Sequence, residues 1–202
     1  MVSLSMTISR RSTSHSHPAF FPTIGRTIPF LISILFGKTA AHYKVHFLQL
    51  FRSMDLKTME EFEKRFPGMT CDFSDAERIG FELAIREICS IPEHRPIDLQ
   101  NYYRFCDVHF KKTAVRVRVN AALIHPAKEF IFYNKVLQLL VCQPLVEFQT
   151  LVKELKQEFP KVTNWLDWHM APSRAKHIFP AVCENANFGS MRKNTNAQES
   201  LG

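Results

Sequence analysis

The sequence predicts an α/β fold in which an all-helical segment follows the strands. Residues 27–36 form a nearly continuous apolar and β-branched run, and residues 102–110 are aromatic and β-branched, so both have the composition of strands. A helical pattern lies between them, and the order strand, helix, strand predicts a parallel layer. Beyond Pro126 the apolar residues recur at helical spacing. A chain of 202 residues, 46% apolar and 22% charged, is long enough to bury such a core.

Residues 1–25 are predicted to form a disordered leader. They are rich in Ser, Thr and His, contain Pro18 and Pro22, and follow neither the helical nor the strand period. A segment that carries Arg and Ser without acidic residues is also typical of a mitochondrial presequence. An unstructured leader and a targeting segment therefore both stay open.

The net charge of +7 is concentrated near the start of the chain. Residues 1–54 hold six of the 26 Lys and Arg residues and none of the 19 Asp and Glu residues, so the remainder carries 20 basic and 19 acidic residues. The charge alone therefore does not indicate that the folded part binds DNA. The five cysteines form no CxxC pair, which argues against a disulfide framework or a structural zinc site and favours a reducing compartment.

Each element after the first strand has its own local signal. Residues 39–53 place apolar side chains at helical spacing and predict an amphipathic helix, and residues 60–66 predict a shorter one. Residues 69–73 (MTCDF) are short and predict the end of a strand. Ser74 and Glu77 have the spacing of a capping box, which predicts that the next helix begins there.

The helical segment is predicted to contain a pair of packed helices. Apolar stripes over 130–140 and 145–155 are separated by Gln143 and Pro144, as in a helical hairpin. From residue 185 onward the chain is polar. The predicted organisation is a leader over 1–25, an α/β core over 27–118, a helical segment over 126–182 and a polar tail over 185–202.

Asp72 is a candidate ligand for a divalent cation. It follows a candidate strand and precedes a capped helix, and strand ends are where α/β folds place ligands and catalytic groups. A carboxylate there suits Mg²⁺, which prefers oxygen ligands. A plain turn residue or a second capping group is the structural alternative.

Cys106 and His109 form a CxxH pair at the second predicted strand. Zinc would need two further ligands, and the sequence offers no second pair at a suitable distance. A buried thiol beside an imidazole with a structural role is therefore the alternative. Lys111, Lys112 and Arg116, together with Arg118, follow directly and could bind phosphates. Alternation of the arginines with valines equally suits a solvated strand face.

Other function classes receive little support from the sequence. A Gly-rich phosphate loop and a GxSxG elbow are both absent, which argues against NTP hydrolysis and serine esterase chemistry. The longest uncharged apolar stretch, residues 28–37, is about half the roughly 20 residues that span a bilayer, so we expect no membrane partner. Glu199 lies in the polar tail, where such a residue can be without function.

Taken together, these segments resemble the catalytic region of Mutator-like element (MULE) transposases, which are DDE-type DNA transposases with an RNase H-like fold. The segment MTCDFSDAERIGFELAIREI resembles the region of the family's second catalytic Asp, and FCDVHFKKTAVRV resembles the following strand with its CxxH signature. The helices from Pro126 to Trp168 resemble the family's helical insertion, and NTNAQES resembles the motif of the final acid. The resemblance extends from about Thr27 to Gly202.

The resemblance implies a fold, a site and a ligand. It implies an incomplete RNase H-like mixed sheet interrupted by the helical insertion. Asp72 and Glu199 become the second and third metal-binding acids, with Cys106 and His109 as the supporting signature pair. Two Mg²⁺ ions would then activate a nucleophile and stabilise the leaving oxygen during DNA cleavage and strand transfer. The implied partners are DNA and another transposase chain, and the implied location is the nucleus.

The sequence departs from the family pattern at the first catalytic Asp. That residue should precede the strand at 27–36, yet the first acidic residue of the chain is Asp55. The family's N-terminal DNA-recognition module and C-terminal zinc finger are also missing. Loss of the central strand should leave its neighbours with unpaired backbone groups, each costing about 1–3 kcal/mol. We therefore expect a truncated, inactive transposase domain, with a non-catalytic DNA-binding or transposase-associated module and a mitochondrial helical protein as alternatives.

Overall fold

The computed structural model describes residues 13–21, 26–66 and 68–183, and for residues 13–34 it describes the backbone alone. The described chain divides into two compact units. The first unit contains residues 13–66 and 74–97, and the second contains residues 68–73 and 98–183. Helices predominate in both units, and the strands of the described ranges form two separate two-stranded sheets. The fold is therefore a mostly helical α/β fold.

The first unit begins with an antiparallel hairpin. Strand β1 (Thr13–Phe21) pairs with strand β2 (Arg26–Leu35), with an irregularity between His17 and Pro18. Proline lacks a backbone N–H, which explains why the ladder is interrupted there. The strand predicted at 27–36 is confirmed. Part of the predicted disordered leader is wrong, however, because it forms strand β1. Pairing with β1 satisfies backbone N–H and C=O groups of β2 that would otherwise lack partners.

Three helices complete the first unit around a phenylalanine core. They are α1 (Ala40–Ser53), α2 (Met59–Arg65) and α3 (Asp75–Ile88). The core rings are buried and meet edge to face, with centroid separations of 5.2 Å for Phe47 and Phe81 and 4.8 Å for Phe51 and Phe62. Such pairs add to the stabilisation that burial of their area provides. All three helices agree with the predicted periodicity to within a residue or two.

Local capping fixes where the second and third helices begin. Ser74 Oγ accepts a hydrogen bond from the backbone N–H of Glu77 at 3.1 Å, as the predicted spacing requires. A complete capping box occurs at Thr58 and Glu61, where each side chain accepts a hydrogen bond from the other residue's backbone N–H. The sequence analysis predicted a box at Ser74, where the structure gives the bond from the Glu77 N–H to Ser74, and it did not single out the box at Thr58. Both caps satisfy backbone donors that a helix start leaves open.

The second unit is built on a short parallel sheet. Strand β3 (Met69–Cys71) pairs with strand β4 (Tyr103–Phe105) in parallel. A parallel pair is therefore present, but its first strand is the short segment at 69–71, whereas the strand predicted at 27–36 pairs antiparallel with β1. The prediction of a strand over 102–110 is only partly correct, because helix α4 (Asp107–Arg118) begins directly after β4. On its other side β4 is backed by a later segment, since Phe105 N–H donates to the carbonyl of His177 at 2.8 Å.

The helices predicted beyond Pro126 are present. They comprise α5 (Glu129–Gln138), α6 (Leu145–Glu158), α7 (Thr163–Met170) and α8 (Pro172–Ala175). Ion pairs join α5 to α6, with Lys135 Nζ 2.9 Å from Glu154 and 3.3 Å from Glu158. The second compact unit contains β3 and β4 together with these helices. The predicted organisation instead placed those strands in the core over 27–118 and the helices in a separate segment over 126–182. Among the described helices, none combines the length and apolarity needed to cross a bilayer.

Gly80 is required for the close packing of α3 against α1. A Cβ atom at this position would lie 2.5 Å from Tyr43 Cβ, 2.8 Å from the Ala40 carbonyl oxygen and 2.9 Å from the Lys44 nitrogen. Two of these atoms belong to the backbone, so the helices would have to move apart. We therefore expect Gly80→Ala to destabilise the protein by about 1–3 kcal/mol, measured by urea denaturation. Helix propensity alone favours Ala by about 1 kcal/mol, so a more stable variant would contradict the packing argument.

Candidate functional site

The second unit brings Asp72 and His109 together. Asp72 follows β3, and His109 lies in the first turn of α4, which follows β4. Because the two strands are parallel, their carboxyl ends lie at the same edge of the sheet. Asp72 Oδ1 is 3.1 Å from His109 Nδ1, and the two side chains are 57% and 25% exposed. The pair therefore forms a solvent-accessible polar site at this edge.

The Asp72–His109 pair stands on a buried aromatic cluster. In each of the two segments the polar residue is followed by an aromatic one, Phe73 after Asp72 and Phe110 after His109. The Phe73 ring stacks on Phe105 at a centroid separation of 4.6 Å. Phe73 and Phe110 are themselves 6.4 Å apart. The polar pair is thus held in place by packing of the aromatic residues beside it.

Cys106, the other member of the signature pair, has a different environment. It occupies the N-cap position of α4, is fully buried, and donates its backbone N–H to the Cys71 carbonyl at 2.9 Å. Its side chain makes no capping hydrogen bond to the helix. Cys106 is therefore a buried thiol. His109 is the member of the CxxH pair that is accessible to solvent.

The residues at this site do not form a magnesium centre by themselves. Glu199, the implied third acid, lies outside the described residues. Within the described ranges, no group of three His, Cys, Asp or Glu side chains is arranged to hold a metal. Asp72 offers one carboxylate, and its neighbour His109 offers an imidazole, whereas Mg²⁺ prefers oxygen ligands. The described residues therefore do not fit the ion that the resemblance implies.

The four basic residues of α4 divide between two sides of the helix. Asp107, Phe110, Ala114 and Val117 form the buried face. Beside this face, the Arg118 guanidinium lies 4.9 Å from the centroid of the Tyr133 ring and 3.8 Å from Glu129. The segment is helical, so the alternation of Arg116 and Arg118 with valines does not place the arginines on one face of a strand. These residues instead follow the helical period.

Lys111 lies on the same side of α4 as Arg118, since the two are separated by two helical turns. It lines an open cleft of about 520 Å³ together with Asn134 and Gln138 of α5. Lys112 and Arg116 lie on the opposite side, at spacings of three and seven residues from His109. Both are exposed. A basic stripe of His109, Lys112 and Arg116 therefore runs along α4 from the Asp72–His109 pair.

A buried ion pair fixes the start of α4. The Arg104 guanidinium donates to Asp107 Oδ1 at 2.9 Å, and both side chains are almost completely buried. Breaking a pair of this kind by removing one partner is strongly destabilising, because it leaves a buried charge. The sequence analysis missed this pair, although an acid at a helix start three residues after an arginine is a local signal that could have indicated it.

His169 is a buried neutral histidine within the aromatic cluster. It is 2% exposed, and its ring centroid lies 4.6 Å from Trp165 and 5.1 Å from Phe110. Its Nδ1 lies 2.9 Å from the Trp165 carbonyl, and since a carbonyl only accepts, Nδ1 carries the proton. Its Nε2 is buried, and none of the described residues forms a hydrogen bond with it. Burial lowers the pKa of His169 to about 4. No local sequence signal indicated this residue.

Comparison of the chain with protein-family models, with curated proteins and with solved structures gives no match.

His169 should make the stability of the protein depend on pH. The unfolded imidazole titrates near pH 6.5 and the folded one near pH 4, so the unfolded state binds more protons between these values. We therefore expect the free energy of unfolding to fall as the pH is lowered from about 6.5 towards 4, by at most about 1.4 kcal/mol per pH unit. Urea denaturation over this pH range measures the effect.

His169→Gln should reduce this pH dependence, because Gln does not titrate. His94→Gln is the matched control, since His94 is exposed, and it should leave the dependence as in the wild type. Identical pH dependence in the wild type and in His169→Gln would show that His169 does not contribute.

Proposed function

We propose that this chain is the RNase H-like catalytic region of a MULE-type DNA transposase that binds DNA without cleaving it. The observation that supports this most is the 3.1 Å separation of Asp72 and His109. The resemblance assigns both residues to one site, although they come from separate segments of the sequence. If the similarity of these short segments to the family arose by chance, it would not predict that Asp72 and His109 lie close together.

The order of elements around the pair also supports the proposal. Two parallel strands end at the pair, the capped helix α3 follows the first strand in sequence, and a helical segment follows α4. This is the order in which the family's segments occur in the resemblance. Nuclear location and association with chromosomal DNA are part of the same proposal.

The missing first acid is the reason for proposing an inactive domain. In the parent chemistry two Mg²⁺ ions stabilise both the attacking and the leaving oxygen of the scissile phosphate. Holding two dications needs several carboxylates, and Asp72 is the described carboxylate at this site. The chain has no acidic residue before Asp55 that could take the place of the family's first Asp. Asp72 and His109 are therefore not expected to activate a nucleophile through paired metals.

DNA binding is assigned to the basic stripe of His109, Lys112 and Arg116. Lys112 and Arg116 are exposed, and they extend along one side of α4 from the site. Phosphate contacts by such side chains release counterions from the duplex, which provides affinity without sequence preference. Arg118 contributes less because it packs on Tyr133, and Lys111, although exposed, lies on the other side of the helix from the stripe.

Removing the stripe should weaken DNA binding and its salt dependence. We expect the double variant Lys112→Ala with Arg116→Ala to bind a blunt DNA duplex more weakly than the wild type. The slope of log affinity against log salt concentration should become shallower by about two, because two phosphate contacts are lost. Fluorescence anisotropy titrations at several salt concentrations measure both quantities.

The matched control removes two positive charges elsewhere in the second unit. Lys153 and Lys161 are exposed on other parts of its surface, so Lys153→Ala with Lys161→Ala has the same net charge as the stripe variant. We expect this control to keep the wild-type salt slope. Equal slopes for the two double variants would contradict the assignment of the stripe.

The purified protein should not cleave DNA. We expect supercoiled plasmid incubated with the protein and Mg²⁺ to be nicked no faster than plasmid incubated with Asp72→Asn, because the first metal-binding acid is missing. Gel electrophoresis of the plasmid forms provides the measurement. Mg²⁺-dependent nicking by the wild type that is lost in Asp72→Asn would refute the inactive assignment and establish Asp72 as a catalytic residue.

A further inference from the structure

We propose that Trp168 and Arg174 form a stacking site for an unpaired deoxynucleotide beside the Asp72–His109 pair. The inference rests on the proposed function, because it takes DNA as the ligand. It adds a preference that the basic stripe cannot provide, since phosphate contacts do not distinguish a paired base from an unpaired one.

Trp168 is partly exposed, although it contacts the aromatic cluster beside the polar site. It lies on α7 next to His169, which is 2% exposed, yet Trp168 itself is 43% exposed. Tryptophan combines a large apolar ring with a polar N–H, and it is enriched at binding interfaces for that reason. We take the exposed part of the indole as the surface that a base covers.

Arg174 places a planar cation on the same ring. Its guanidinium carbon lies 4.2 Å from the centroid of the Trp168 ring, within the range of a cation–π interaction. Arg174 Nη1 also donates to the Trp168 backbone carbonyl at 3.4 Å, which restrains the guanidinium over the indole. An indole with an arginine held on it offers both stacking and a positive charge for the adjoining phosphate.

The location links this ring to the polar site. Trp168 lies 6.1 Å from Phe73, measured between ring centroids, and Phe73 directly follows Asp72. His169 contacts both rings, at 4.7 Å from Trp168 and 5.5 Å from Phe73. Trp168 is therefore in ring contact with Phe73, the residue next to Asp72, and all of these residues belong to the second unit.

The chemistry favours an unpaired nucleotide over a paired one. Bases within a duplex are already stacked on their neighbours, so their faces cannot reach a protein ring without leaving the stack. Stacking of one unpaired base on an aromatic side chain contributes roughly fivefold to 150-fold in affinity. The ligand is therefore DNA with a single-stranded end, its duplex phosphates on the basic stripe and its unpaired base on Trp168.

The test compares a blunt duplex with the same duplex carrying a single-stranded overhang. We expect the wild type to bind the overhang duplex at least fivefold more tightly than the blunt one. Trp168→Ala should abolish this preference, so that the variant binds the two duplexes equally. Trp168→Phe should restore part of the preference, because it retains an aromatic ring. Lys112→Ala with Arg116→Ala should weaken binding of both duplexes by the same factor and keep their ratio.

A fluorescence measurement reports on the ring itself and does not depend on Trp168→Ala folding. The chain has two tryptophans, so Trp165→Phe leaves Trp168 as the single emitter, and Trp168→Phe leaves Trp165. We expect the overhang duplex to quench Trp168 strongly in the first variant and to change Trp165 little in the second. The blunt duplex should quench Trp168 less than the overhang duplex does.

The outcomes separate the two proposals. Equal affinities of the wild type for the two duplexes, or equal quenching of Trp168 by both, would overturn the stacking site and leave the proposed DNA-binding function intact. Overhang binding without any binding of the blunt duplex would support the stacking site and contradict the role of the stripe. Failure to bind either duplex would overturn both.

Discussion

The parallel pairing of β3 with β4 determines where every functional side chain of the second unit lies. The pairing covers three residues of each strand, from Met69 opposite Tyr103 to Cys71 opposite Phe105, and the N–H of Cys106 extends it to the Cys71 carbonyl. Both strands then leave the sheet at one edge. Asp72 and His109 follow within a few residues, which is why they meet although the intervening chain is long. A ladder this short is marginal without support from other elements.

That support comes from both the backbone and the side chains. On the far side of β4, Phe105 N–H donates to the His177 carbonyl, and the His177 imidazole lies 3.1 Å from the Tyr103 carbonyl. All three residues of β4 are buried, including Arg104, whose charge is matched by Asp107. The aromatic cluster then holds the two segments that leave the sheet. The geometry of an exposed polar site therefore depends on a fully buried core beneath it.

The sequence predicted those elements whose signal is local and missed those that tertiary contacts decide. Helical spacing and caps were sufficient for α1, α3 and the helices beyond Pro126. Helix α4 was missed because its aromatic and β-branched residues suggested a strand, although Phe110, Ala114 and Val117 already have helical spacing. Strand β1 has no apolar pattern of its own and exists through pairing with β2. His169 gave no signal, because a histidine that is neutral through burial looks like any other in the sequence.

The basic residues of α4 also differ in how far the helix itself accounts for their positions. Arg116 and Arg118 lie in the last turn, where a cation stabilises the helix dipole whether or not the protein binds DNA. Lys112 lies near the middle of the helix, where the dipole gives no such stabilisation, and it is exposed beside His109. The helix dipole therefore accounts for the positions of the two arginines. It does not account for the position of Lys112, which lies on the side of α4 to which DNA binding is assigned.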